Sequence, residues 1–249
     1  MKIIDCIWEK RNLNCKTVEV VLDKDENIKF DDISYLESKY EYIVIKVPTN
    51  NLANNLLLAS NKYTFLECQY KLLKKTVSFE ETDPLIDLIK KDLKFKIINT
   101  KKDFDKLLSN ITDNMFSSDR ICLDPQFGPE IGTKRYKNWM GDEFDKSTSM
   151  FIVASKNNED VGFIMAKEKK NNIDALLGGI FREFQEEGLG LLTPSFLFLA
   201  KSVLNNEYKN VITSISSNNV PVVQLYNYLN YKILSTTYVF IKHININKV

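Results

Sequence analysis

All eight glycines of this 249-residue chain lie between Gly128 and Gly190, and that placement limits what the chain can fold into. Glycine reaches positive φ and lets backbone approach another group with no Cβ in the way. The first part of the chain must therefore close its turns with other residues, and close backbone approaches concentrate in the second part. The densest group is Gln185-Glu186-Glu187-Gly188-Leu189-Gly190, followed by an apolar run that reads as a helix from Leu191 to Asn205 with Pro194 near its start. The unpaired N–H groups of a first helical turn point back at such a loop and make an anion site suited to a pyrophosphate. Just upstream, Gly178-Gly179-Ile180 end a strand, where paired glycines invite a β-bulge that splays this strand from its neighbour.

Charge excludes some partners. Thirty-four basic residues against thirty-three acidic ones leave a formal net charge of +1, so no global field draws the chain to nucleic acid or an anionic membrane. Small molecules are the expected partners, with self-association as a homodimer. Cys6, Cys15, Cys68 and Cys122 show no C-x-x-C spacing, which argues against a zinc site or a redox pair and for free thiols. The N-terminus carries charge too early for a signal peptide, and no apolar run is long enough for a membrane span, so a cytoplasmic location is expected.

The length and a hydrophobic content of 44% suit two modest domains, 1–85 and 94–249, parted near the polar stretch Glu80-Glu81-Thr82-Asp83-Pro84. In the first, Tyr42 to Val47 reads as a buried strand, Leu52 to Ser60 as a helix and Tyr63 to Leu73 as a returning strand. The second opens with strand Phe95 to Asn99 and a helix from Lys102 to Asn114. Met115 to Gly141 reads as a long loop carrying Arg120, Asp124, Tyr136 and Trp139. Three antiparallel strands (Met150 to Ala154, Val161 to Ala166, Ile173 to Leu177), the apolar helix, strand Asn210 to Ile215, helix Val220 to Leu229, and strands Tyr231 to Leu234 and Thr237 to Lys242 complete it. The junction Leu58 to Phe65 is loosely similar to Tyr226 to Ile233; if the two correspond, Leu58 stands in the place of Tyr226, and the first domain is a scaffold or substrate wall rather than a second active site.

The order βα(α)βββαβαββ, with Gln185-x-x-Gly188-x-Gly190 after the fourth strand, resembles the GNAT superfamily of N-acetyltransferases. So does Asn219-x-x-Val222-x-x-Leu225-Tyr226 followed by Asn230-Tyr231, where Asn230 stands for a glycine and can enter the αL region at a helix end. Phe116 to Pro125 with Tyr136-Lys-Asn-Trp139, the Ser235-Thr-Thr-Tyr238 segment and the Val44 to Pro48 region are similar to the dTDP-fucosamine (dTDP-4-amino-4,6-dideoxy-galactose) acetyltransferase family. The resemblance implies an α/β (α+β) GNAT fold, with a central mixed, mostly antiparallel sheet flanked by helices, plus a smaller N-terminal α/β domain. It implies an acetyl-CoA-dependent N-acetyltransferase whose acceptor is the 4-amino group of a dTDP- or UDP-linked deoxyamino sugar. The alternatives are a small polyamine, aminoglycoside or amino-acid-like acceptor, or a non-catalytic acyl-CoA-binding module.

Site residues follow from the same resemblance. Acetyl-CoA would lie on Gly178, Gly179, Ile180, Gln185, Glu187, Gly188, Leu189, Gly190, Leu191 and Asn219, with a backbone N–H near Gly178 polarising the thioester. Glu186 and Glu187 depart from the small or basic residues usual in this loop and are unfavourable beside a pyrophosphate unless turned to solvent. Tyr226 would return a proton to the CoA thiolate. Arg120, Asp124 and Tyr136 are the acceptor-binding candidates, Arg120 as a partner for phosphate. The base is not identified: Asp119, Asp124 and water relayed to solvent all remain open. His243 reads as a satisfied or solvent-facing side chain beyond the last strand.

Overall fold

The computed structural model describes residues 1–75, 92–113, 115–187, 189 and 208–244. Strand β1 (Lys2–Asp5), helix α1 (Glu9–Leu13), β2 (Thr17–Val21), α2 (Phe30–Lys39), β3 (Tyr42–Pro48), α3 (Leu52–Ser60) and β4 (Thr64–Lys75) form the N-terminal half. The C-terminal half has β5 (Leu93–Ile97), α4 (Lys101–Ser109), α5 (Arg120–Leu123), α6 (Gly128–Asp145), β6 (Met150–Lys156), β7 (Glu159–Lys169), β8 (Asn172–Ile180) and a 3₁₀ turn at Arg182–Glu187. It closes with β9 (Asn210–Ser216), α7 (Val220–Tyr228) and β10 (Lys232–His243). The helix expected over Leu191 to Asn205, with Pro194, and the junction at Glu80 to Pro84 lie outside the described residues.

The ten strands among the described residues join in one sheet of order β1-β2-β3-β10-β4-β9-β8-β7-β6-β5. Every neighbouring pair is antiparallel except β2 with β3 and β8 with β9, so the sheet is mixed and mostly antiparallel, with helices on its faces. The halves exchange strands: β10 lies between β3 and β4, and β4 between β10 and β9. From β1 to β7 the order is palindromic, and from β3 and β9 onward residues of the two halves correspond at a spacing of 168 positions (237 less 69, 219 less 51). Gln69 pairs with Thr237 at the centre. On either side, Lys232↔Leu73 mirrors Ile241↔Thr64, and the register shifts fall at Leu66 and Leu234, which are also 168 apart. The helices α3 and α7 each have nine residues, begin after an asparagine N-cap (Asn51, Asn219) and end in a left-handed residue, Lys62 with φ 62° and Asn230 with φ 56°. Asparagine tolerates that region better than most side chains, which lets Asn230 do the work of a glycine.

Burial explains why β3 reads as an unbroken apolar run. Ile43, Ile45 and Val47 pack on one face with Val18, Val20, Ile33, Leu36 and Leu58, while Tyr42 and Val44 pack on the other with Leu13, Val239, Ile121 and Phe127. A strand covered on both faces loses the apolar–polar alternation of a half-exposed one. The second face is covered by α5 and α6, which come from the C-terminal half.

Three expectations need correction. The helix after β5 ends at Ser109 rather than Asn114, capped at its start by Thr100. Met115 to Gly141 is largely helical: Pro129 sits in the first turn of α6, where its missing N–H costs nothing, and Gly132 brings α6 within contact of Cys122 on α5. Glycine and proline there start and pack a helix rather than break one. The two terminal strands are one, β10, because the polar Ser235-Thr236 follows a bulge at Leu234 that carries the ladder onward. Among the described residues no helix is long and apolar enough to cross a membrane.

Candidate active site

The parallel ladder between β8 and β9 stops early. Asn172 to Ala175 pair with Asn210 to Thr213, and beyond that point the strands part. The cause lies on the other edge of β8, where Met165 faces Leu177 and Ala166 faces Ala175, leaving Leu176 as an extra residue. A bulge bends the strand that carries it and sharpens its twist, so β8 turns away from β9 one residue after their last pair. The bulge expected at Gly178-Gly179 is thus at Leu176; both glycines stay in register with β7, opposite Ile164 and Phe163.

A cavity of about 930 Å³ opens in this gap. One wall is Leu176 to Ile180 of β8, the other Thr213 to Ser216 of β9 with the first turns of α7. Gly179, Gly178, Ile180, Gln185, Asn219, Tyr226 and Tyr136 all reach it, so it gathers most of the described candidates in one place. One glycine is required here by geometry: a Cβ on Gly162 of β7 would lie 2.7 Å from the backbone Gly179 O, whereas one on Gly179 would meet only the movable end of Met115, Cε at 2.8 Å.

Asn219 caps α7, its Oδ1 accepting from Val222 N at 3.3 Å, which places the helix N-terminus at the cavity wall. Gln185 Nε2 donates to Ile180 O at 3.2 Å. Glu187 turns away: its carboxylate accepts from Lys156 Nζ at 2.7 Å and is not part of the lining. Leu189 is buried in the core beneath α7. Gly188, Gly190 and Leu191 lie outside the described residues.

Tyr226 is buried, its ring set edge-on against Tyr231 at 4.6 Å. Burial pushes its phenol up to about 12, against a smaller opposing effect of its hydrogen bond with Thr213. Thr213 Oγ1 also donates to Ala175 O at 3.0 Å, at the last pair of the β8–β9 ladder. Thr213 escaped the sequence reading; its signal was a lone hydroxyl on the buried side of the strand Val211-Ile-Thr-Ser-Ile215.

At the other end, Tyr136 packs on Phe116 at 4.7 Å and hydrogen-bonds Asp119; burial first, and Asp119 second, hold its phenol well above the ordinary value. Asp119 caps α5, accepting from Ile121 N and Cys122 N at 2.9 and 2.8 Å. It is the one charged side chain among the described lining residues.

Arg120 and Asp124 are elsewhere. The Arg120 guanidinium points into an ion-pair cluster, 3.3 Å from Glu19 and 3.8 Å from Glu9, and Glu9 is also held by Arg135 at 2.7 Å. Burial works to raise the Glu19 carboxyl, but Lys46 and Arg120 outweigh it and hold it below the usual range. Asp124 is buried under the start of α6, with Oδ2 2.7 Å from Nε2 of His243, the final residue of β10. His243 stacks on Tyr42 at 4.8 Å. These side chains tie α5 and α6 to the N-terminal half.

No family model matches the sequence, and neither does any curated protein. Solved structures do. The chain is similar to a functionally unknown conserved protein from Staphylococcus epidermidis (TM-score 0.63, 14% identity, covering 92% of this chain and 84% of that one). It is similar to a GCN5-related N-acetyltransferase from Sphaerobacter thermophilus (TM-score 0.57, 11% identity, 83% of this chain), of whose length it spans 61%. A tandem GNAT protein from the clavulanic acid biosynthesis pathway is matched over 93% of this chain and 76% of that one, at TM-score 0.57 and 10% identity. At such identities the likeness is one of fold, and the fold is that of the GNAT acetyltransferases.

Proposed function

We propose that the protein is an acetyl-CoA-dependent N-acetyltransferase built from two GNAT-like units, 1–85 and 94–249, with its one active site in the gap between β8 and β9. The observation that carries this reading is the bulge-driven parting of those strands beside Tyr226. Parted strands leave backbone N–H and C=O groups without ladder partners, and such groups require other hydrogen bonds. The two amides of a pantetheine arm match them, along a channel whose glycines leave room for close approach. Acetyl-CoA would supply the activated acetyl group there. The α7 N-terminus at Asn219 adds positive potential at the wall.

The chain's own residues then have separate tasks. Leu176 to Ile180 orient the donor, and Tyr226 presents a proton where the thiolate departs. Its raised phenol pKa keeps that proton in place throughout the neutral range. Asp119 is the charged group nearest the acceptor end and draws in an ammonium, which must lose a proton before it can attack.

A nucleotide-linked deoxyamino sugar is the acceptor that the family resemblance implies. One observation favours a smaller cationic amine instead: Arg120 is committed to Glu19 and Glu9, whereas Asp119, held more loosely by Arg135 at 4.0 Å, lines the cavity. The test is release of free thiol from acetyl-CoA with dTDP- and UDP-amino sugars beside polyamines and aminoglycosides. Saturable release with any amine is expected, and the successful acceptor decides between the two readings. Protein that fails to bind acetyl-CoA in a calorimeter would sink both. Asp119→Asn separates Asp119's charge from its capping role, because asparagine caps equally well. It should raise KM for the amine about tenfold, on the scale of a charge-assisted hydrogen bond, and leave the melting temperature alone.

A further inference from the structure

The helix that carries Tyr226 is held at its far end by the other half of the molecule. Lys74, on the exchanged strand β4, donates from Nζ to Leu229 O at 2.8 Å, just past the C-terminus of α7, and stands 5.9 Å over the Tyr231 ring. A cation there meets the negative end of the helix and an orphan carbonyl together. Tyr231 in turn donates its backbone N–H to Tyr226 O at 3.0 Å and sets its ring edge-on to the Tyr226 ring. The contacts thus run without a break from the N-terminal half to the phenol.

The internal repeat supplies a twin of this arrangement. Lys242 on β10, 168 positions after Lys74, donates to Asn61 O at 2.8 Å and stands 5.1 Å over the Tyr63 ring. Tyr63 donates its N–H to Leu58 O at 3.0 Å. At the end of that path sits Leu58, a fully buried core residue with no hydroxyl.

We propose that Lys74 is a positioning residue for Tyr226, so that the N-terminal half completes the active site of the C-terminal half through its exchanged strand. The inference rests on Tyr226 acting in acetyl transfer, and the twin lysine provides its control. Lys74→Ala should lower kcat about tenfold, since a small misplacement of a reacting group costs rate steeply, with little change in KM for acetyl-CoA. Lys74→Arg, which keeps the charge and the reach, should restore most of the rate. Lys242→Ala, which also breaks the ion pair of Lys242 with Glu37 at 2.7 Å, should lower the melting temperature at least as much as Lys74→Ala does, yet leave kcat as in the wild type.

A second readout does not depend on turnover. With ¹³C-labelled tyrosine, the Tyr226 resonance, assigned by its loss in Tyr226→Phe, should move in Lys74→Ala and stay in Lys242→Ala. An unmoved resonance in Lys74→Ala, or equal kcat losses in the two alanine variants, would overturn the proposal. Wild-type protein that releases no thiol with any amine would instead count against acetyl transfer, and the resonance comparison would still decide the role of Lys74.

Discussion

The two halves share a backbone plan and differ in what lies against one helix. In the N-terminal half, the start of α3 is covered by the chain's own segment from Glu26 to Ile28. Asn54 and Asn51 both donate to Glu26 O, at 2.8 and 2.9 Å, and Ile28 N donates to Asn54 Oδ1 at 3.0 Å. In the C-terminal half, the residue 168 positions after Asn54 is Val222, which lines the open cavity. The strands differ in the same sense. Val21 ends β2, still paired with Lys46 of β3, whereas β8 runs on past its last pair with β9 to form a cavity wall. One repeat thus closes its helix N-terminus with its own backbone, and the other leaves it facing an open cavity. On the proposed function, what separates scaffold from site is a bulge, an asparagine and a tyrosine.

The sharpest way to break the comparison is at the pair Tyr226 and Leu58. Tyr226→Phe should cut kcat about a hundredfold with acetyl-CoA affinity unchanged, because the hydroxyl matters only as the thiolate leaves. Turnover within a factor of two of the wild type would remove Tyr226 from the mechanism. Its pH profile carries a second check. A phenol held near 12 stays a donor well above neutrality, so the rate should rise with pH as the amine loses its proton and show no fall between about pH 9 and 10.5. A basic limb in that window, absent from Tyr226→Phe, would mean that burial does not raise this group.

The plug comes next. Asn54→Ala leaves the buried N–H of Ile28 without its partner and Glu26 O with Asn51 alone, and should cost about 2 kcal/mol in urea unfolding. Val222→Asn, its mirror at a half-buried position that packs on the core and lines the cavity, should cost less, about 1 kcal/mol. Equal losses at the two positions would show that the helix starts are covered alike.

Much of this plan was legible and some was not, for reasons that particular residues illustrate. The strands of the second half stand out because Met150 to Ala154 and Val161 to Ala166 are apolar runs closed by polar turns, and α3 shows in full from Leu52 to Ser60. The repeat was visible only as a faint likeness around Leu58 and Tyr226, because the symmetry lives in caps, bulges and register while the side chains have diverged. The exchange of β4 and β10 is a long-range pairing that no local pattern encodes. Arg120 and Asp124 read as ligand contacts because a charged side chain in a supposed loop faces solvent by default. Once that stretch is helical and packed on β3, the same charges need partners inside the protein, and they find Glu19, Glu9 and His243.

Alkaline stability samples both halves together. Burial raises the phenols of Tyr42 and Tyr63 in the first half and of Tyr136, Tyr226 and Tyr231 in the second. The thiols of Cys6 and Cys122 rise to about 11 and about 12 for the same reason. A group whose folded pKa lies above its unfolded value stabilises fully below the unfolded value and loses that contribution as pH climbs through the folded one. The urea midpoint should therefore hold up to about pH 8.5, near the unfolded thiol value, and fall from there toward pH 12. A flat midpoint to pH 11 would show that these phenols and thiols ionise in the folded protein as they do in water.

The smallest expected effect concerns Glu187, the residue least suited to a pyrophosphate loop. Its carboxylate is half-exposed and rests on Lys156 of β6, away from the cavity. An exposed ion pair of this kind contributes little, so Glu187→Gln should leave acetyl-CoA affinity within about twofold of the wild type. A gain of tenfold or more in a calorimetric titration would mean that the charge faces the cofactor after all. The reading of this protein as a weak acyl-CoA binder without turnover would then regain its ground, and the difference between the two halves would be one of degree.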